Sequence, residues 1–127
     1  MTTRCIALLC IRTVLCLSPG NLGISRGEYV AQILNVAFDM CVWETIGCLM
    51  NGGTLLLRGP RRADWLKVLK MANVMITTPS ILSQHNPADF PNLRVVATAG
   101  EPCPVDLADK WALHVEFYNS CGPTEVR

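Results

Sequence analysis

The chain has 127 residues, half of them hydrophobic, with 11 Lys and Arg against 10 Asp and Glu and a net charge of +1. That length suits one domain, and so apolar a composition excludes intrinsic disorder. Only 17% of the residues are charged, against roughly 25% in a typical soluble domain, and the near-neutral balance supplies no field to gather nucleic acid or an anionic membrane, so neither is expected as a partner.

Arg4 precedes an apolar stretch from Cys5 to Leu17 that Arg12 interrupts. It is too short to span a bilayer and lacks a small-x-small cleavage site, so a buried element is expected there rather than a signal peptide. After a turn region at 18–27, residues 29–37 are β-rich and almost continuously hydrophobic, the pattern of an interior strand. Asp39 is placed to cap a helix running to about Met50, with Glu44 inside it as a helix-surface or core-edge carboxylate and Asn51-Gly52-Gly53 as its left-handed stop. Thr54 to Leu57 reads as a short strand, and Arg58, Arg61 and Arg62 as a solvated loop before a helix over 64–71.

The step repeats with a strand over 74–78, a short helix from Ser80 to His85 opened by Pro79, and a polar loop ending at Phe90-Pro91. A strand over 94–99, a sharp loop at Gly100 to Pro104, a helix over 105–112 and a strand over 114–118 complete the pattern. Strands alternating with helices predict an α/β fold, an open, mostly parallel sheet flanked by helices. Ligands of such sheets bind beyond the carboxyl ends of the strands, where loops and helix N-termini present unpaired amides. Four loops occupy those ends: Phe38-Asp39-Met40, Thr78-Pro79-Ser80, Thr98-Ala99-Gly100-Glu101 and the segment 119–125. They are expected to face one side.

Seven cysteines, an odd number without a Cys-x-x-Cys pair or a histidine at zinc spacing, argue against a structural zinc site. Several lie inside apolar runs, so reduced thiols and a cytoplasmic location are expected. His85 and His114 read as structural or surface residues.

The most specific local feature is Gly122-Pro123-Thr124-Glu125. A Thr hydroxyl can donate to a phosphate oxygen and a carboxylate can help hold a hydrated magnesium ion, although Gly-Pro by itself is also an ordinary turn. Taken with Phe38-Asp39-Met40-Cys41-Val42-Trp43-Glu44, Thr98-Ala99-Gly100-Glu101 and Tyr118-Asn119-Ser120-Cys121, in this order and spacing, it resembles the adenylation domains of nonribosomal peptide synthetases, fungal members especially, within the adenylate-forming enzymes. The resemblance covers residues 13–127 as a partial adenylation (AMP-binding) domain, a piece of that superfamily's large N-terminal domain, and leaves 1–12 poorly matched.

The resemblance implies attack of an amino-acid carboxylate on the α-phosphate of ATP, with Mg2+, followed by capture of the aminoacyl adenylate by a carrier-protein phosphopantetheine thiol. It assigns Thr124 and Glu125 to catalysis, with Glu125 also toward the metal. Asp39 would pair with the substrate α-amino group, and Met40, Trp43, Ile76, Ala97, Ala99 and Ser120 would line a mostly apolar side-chain pocket. Gly100, Glu101, Asn119, Ser120, Cys121 and Thr124 would surround the nucleotide. Asp39 also has a reading as a plain helix cap, and Met40 and Trp43 as helix core. A carboxylate beside a neutral acyl chain would be left unpaired, so Asp39 favours an amino acid over a fatty or aryl acid.

One departure is Cys121, where the family usually places an aromatic ring against adenine. Base-on-ring stacking is worth about 1–3 kcal/mol. The Gly/Ser/Thr-rich phosphate loop is missing upstream, and the ribose-binding Asp, the hinge and the C-terminal domain are missing downstream. A central slice, inactive alone, is therefore expected. A non-catalytic nucleotide-binding or interaction module and an acyl-CoA ligase fragment are the alternative readings.

Overall fold

The computed structural model describes residues 15–120. Five strands, β1 (Tyr29–Gln32), β2 (Thr54–Leu57), β3 (Val74–Thr77), β4 (Val95–Thr98) and β5 (Glu116–Asn119), form one sheet in the order β2-β1-β3-β4-β5. Every neighbouring pair is parallel, as the alternating pattern predicts. Helix α1 joins β1 to β2 and runs through Met40–Val42, a π-helical turn at Trp43–Gly47, and Cys48–Met50. Helices α2 (Arg62–Met71), α3 (Pro79–Leu82) and α4 (Val105–Ala112) make the remaining crossovers. The chain steps from β1 outward to β2, then back across to β3, β4 and β5. Right-handed crossovers therefore put α1 on one face and α2, α3 and α4 on the other.

This coverage explains the burial. Val74, Met75, Ile76, Thr77, Val95, Val96, Ala97 and Thr98 are all 0% exposed, and each Val, Ile and Met side chain among them contributes roughly 1.5–3 kcal/mol by leaving water. The edge strand β2 is only partly covered, and its Leu57 is 69% exposed. On the α4 side Phe90 stacks on buried Trp111 with ring centroids 6.5 Å apart.

Helix α1 ends as its glycines predict. Gly52 has φ +79°, its amide donates to Leu49 O, and the Gly53 amide donates to Cys48 O, which together make a Schellman stop. Its start is different. Asp39 has helical φ and ψ and makes no side-chain cap bond; Asn35 turns the chain instead, its Oδ1 accepting from the Ala37 amide at 3.0 Å and its carbonyl from the Phe38 amide. The strand expected over 29–37 stops at Gln32 although Ile33 and Leu34 stay buried, because their amides donate to Glu44 rather than to a neighbouring strand. Within the loop expected before Phe90, Asn86 accepts from the Ala88 amide and opens a single 3-10 turn at Pro87–Asp89.

Candidate functional site

All five strands are parallel, so their carboxyl ends lie along one edge, and the sheet order reverses between β1 and β3 there. That is where α/β sheets bind ligands. The loops at this edge are tied together by side chains. The Phe38 ring lies over Gly100, which has φ +83°; a Cβ added to Gly100 would sit 2.8 Å from Phe38 Cζ. Only glycine suits both the backbone angle and that approach. The Ser80 amide donates to Glu101 Oε2 at 3.1 Å and the Ser80 hydroxyl donates to the same oxygen. Thr98 Oγ1 donates to Asn119 Oδ1 at 3.2 Å, and the Ser120 amide to Thr98 O at 2.7 Å.

The pleat sorts the remaining residues. Ile76, Ala97 and Tyr118 are register partners across β3, β4 and β5 and so share a face, while Thr77, Thr98 and Asn119 share the opposite one. Continuing the alternation by two residues brings Ala99 and Ser120 to the Ile76 and Ala97 face. Ile76 and Ala97 are fully buried and Ala99 is 5% exposed; Asp39, Gly100, Glu101, Asn119 and Ser120 are exposed. Met40 packs half-buried against the core.

A cavity of about 260 Å3 opens on this face, lined by Pro19, Gly20, Leu22, Trp43, Tyr118, Asn119 and Ser120. Trp43 is fixed by a 2.7 Å bond from its Nε1 to Gly20 O. Of the residues expected in the side-chain pocket, Trp43 and Ser120 line this cavity, whereas Met40, Ile76, Ala97 and Ala99 do not. The lining from Pro19, Gly20 and Leu22 had no sequence signal beyond a turn. Cys121, Thr124 and Glu125 lie outside the described residues. Among the described residues no group of three or more His, Cys, Asp and Glu side chains could hold a metal ion, and no helix is long and apolar enough to cross a membrane.

Two residues depart from expectation. Glu44, expected at a helix surface or core edge, is 0% exposed. The π turn carries it inward, where Oε1 accepts from the Ile33 amide at 3.0 Å and from the Leu34 amide at 3.2 Å. Burial pushes its carboxyl up to about 7, only partly offset by those two amides, the Cys41 thiol and the Arg58 charge. The same burial, with the Glu44 charge, raises the Cys41 thiol, which makes it a poor nucleophile. Arg58, expected in a solvated loop, donates from Nη1 to Ile33 O at 2.6 Å and lies 4.4 Å from the centroid of the Trp65 ring.

Comparison with known proteins agrees with this geometry. Residues 4–127 match the AMP-binding enzyme family. Adenylate-forming reductase 06235 of Coprinopsis cinerea is 49% identical over 116 residues, 91% of this chain and 11% of the relative. Nonribosomal peptide synthetase gliP of Aspergillus fumigatus is 43% identical over 99 residues, 78% of this chain and 4% of the relative. The chain thus spans about a tenth or less of the curated relatives it matches. A solved synthetase protein containing adenylation and carrier domains, holo-PA1221 bound to a vinylsulfonamide inhibitor, superposes with a TM-score of 0.73 at 25% identity, covering 89% of this chain and 22% of that one. A parallel sheet with its loops gathered at the carboxyl edge, and a family match over nearly its whole length, make this chain a member of the AMP-binding enzyme family.

Proposed function

We propose that this chain forms the central part of an amino-acid-activating site, in which an amino-acid carboxylate attacks the α-phosphate of ATP to give an aminoacyl adenylate and pyrophosphate. The observation that carries this reading is the joining of the Asp39, Ser80, Gly100 and Asn119 loops at one sheet edge. Asp39 would pair with the substrate ammonium group, and the cavity beside Trp43 and Ser120 would take its side chain. Asn119, steadied by Thr98, would face the adenine, and Gly100 and Glu101 would pack beside the nucleotide. Thr124 would donate to the phosphates. Magnesium, assigned by resemblance to Glu125, would offset the charge of the triphosphate when bound. Carrier-protein capture would follow, a reading supported by the adenylation and carrier domains that holo-PA1221 contains.

A second reading differs only after adenylation. The reductase match, at 49%, exceeds the synthetase match at 43%, which favours an activated acyl group passed to a reductive step elsewhere in the polypeptide. Pyrophosphate exchange into ATP, by a polypeptide carrying this chain at the length of its relatives, tests what both share. Exchange supported by amino acids and not by their des-amino analogues is expected. Exchange supported only by fatty or aryl acids would overturn the amino-acid assignment.

A further inference from the structure

Every backbone polar group of the buried dipeptide Ile33-Leu34, which leads from β1 to the Asp39 loop, is held by a side chain. The Ile33 amide donates to Glu44 and its carbonyl accepts from Arg58; the Leu34 amide donates to Glu44 and its carbonyl accepts from Gln32 Nε2 at 2.6 Å. These three side chains come from three elements: the π turn of α1, the loop after β2, and the end of β1. A strand end could satisfy the same groups by running on in the ladder, as the sequence of 29–37 suggests. Instead the chain leaves the sheet at a fixed point and turns at Asn35 toward Phe38, whose ring abuts Gly100.

From this we infer that Glu44, Arg58 and Gln32 are positioning residues, a side-chain clamp that sets the path of the Asp39 loop and so aims the Asp39 carboxylate at the substrate ammonium group. The inference rests on the amino-acid reading above for what Asp39 binds, but the clamp itself does not. Arg58 suits the task, since a bond from an ionised donor is about twice as strong as a neutral one. Arg58 is itself steadied by the Trp65 ring, over which its guanidinium lies.

Two measurements on the purified protein separate the clamp from the substrate reading. In the first, amide hydrogen exchange is followed by NMR in wild type, Glu44→Ala, Glu44→Gln and Arg58→Ala. Protection of Ile33 and Leu34 should fall at least tenfold in Glu44→Ala and recover in part in Glu44→Gln, which keeps an acceptor, while Val74–Thr77 and Val95–Thr98 hold theirs. In the second, calorimetry compares an aminoacyl sulfamoyladenosine with its des-amino analogue. The clamp variants should lose about tenfold of the preference for the amine with little change toward the des-amino compound. A merely structural loss would weaken both ligands alike and would overturn the inference. Should Glu44→Ala fail to fold, Arg58→Ala, which removes one hydrogen bond and the Trp65 ring contact at the half-buried edge, carries both measurements. Unchanged exchange at Ile33 and Leu34 overturns the clamp. A wild-type protein without amine preference overturns the role given to Asp39, and the clamp then stands or falls on exchange alone.

Discussion

Glu44 makes stability depend on pH in a direction opposite to that of most carboxylates. Its side chain is fully buried and its carboxyl titrates at about 7 rather than 4.5, chiefly through burial. The folded protein therefore holds the Glu44 proton to higher pH than the unfolded chain does. The stability this contributes is complete below pH 4.5 and is lost as pH rises through 7. At roughly 1.4 kcal/mol per pH unit, the interval from 4.5 to 7 corresponds to about 3 kcal/mol. Urea unfolding of wild type and Glu44→Gln between pH 4 and 8 isolates the effect, because every other titrating group is common to both proteins. The wild type should lose about 3 kcal/mol relative to the variant over that range. Parallel curves, or a wild type that gains on the variant as pH rises, would refute the reasoning.

Other perturbations probe the rest of the edge. Gly100→Ala places a Cβ at φ +83° and 2.8 Å from the Phe38 ring; a loss of about 1–3 kcal/mol in chemical denaturation is expected, and an unchanged midpoint would mean the two loops are not in contact. Thr98→Val keeps the side-chain shape and removes the bond to Asn119 Oδ1. At about 1 kcal/mol, this should weaken an adenosine-containing ligand roughly fivefold in calorimetry, with the preference for the amine unaltered. Trp43→Phe takes the donor from Gly20 O and should cost about 1 kcal/mol in urea unfolding; equal stability would show that the bond is replaced by water.

Much of this architecture is legible in the sequence because its signals are local. The strand Thr54–Leu57 between glycine-rich and arginine-rich turns, the helix Val105–Ala112 and the Gly52 stop all stand where periodicity and turn chemistry put them. What local signals miss is side-chain to backbone bonding across the chain. Glu44 reaches back 11 residues to the Ile33 amide and Arg58 reaches back 25 to its carbonyl, and these two contacts end a strand that hydrophobicity alone would extend. Asp39 misleads in the same way. An Asp before a helix reads as a cap, yet Asn35 makes the turn and Asp39 is left exposed beside the site. The cavity depends on Trp43 meeting Gly20, 23 residues away, a pairing that neither segment announces.

The amino-acid-activating function proposed for this chain rests on the Asp39 carboxylate pairing with the substrate ammonium group. Calorimetric titration of an aminoacyl sulfamoyladenosine and its des-amino analogue into wild type and Asp39→Asn tests it most directly. A charged hydrogen-bonded pair is worth about 1.5–3 kcal/mol, so wild type should prefer the amine by about tenfold to a hundredfold, and Asp39→Asn should bind both ligands equally. Equal binding by wild type, or an amine preference that survives in Asp39→Asn, would overturn the role proposed for Asp39.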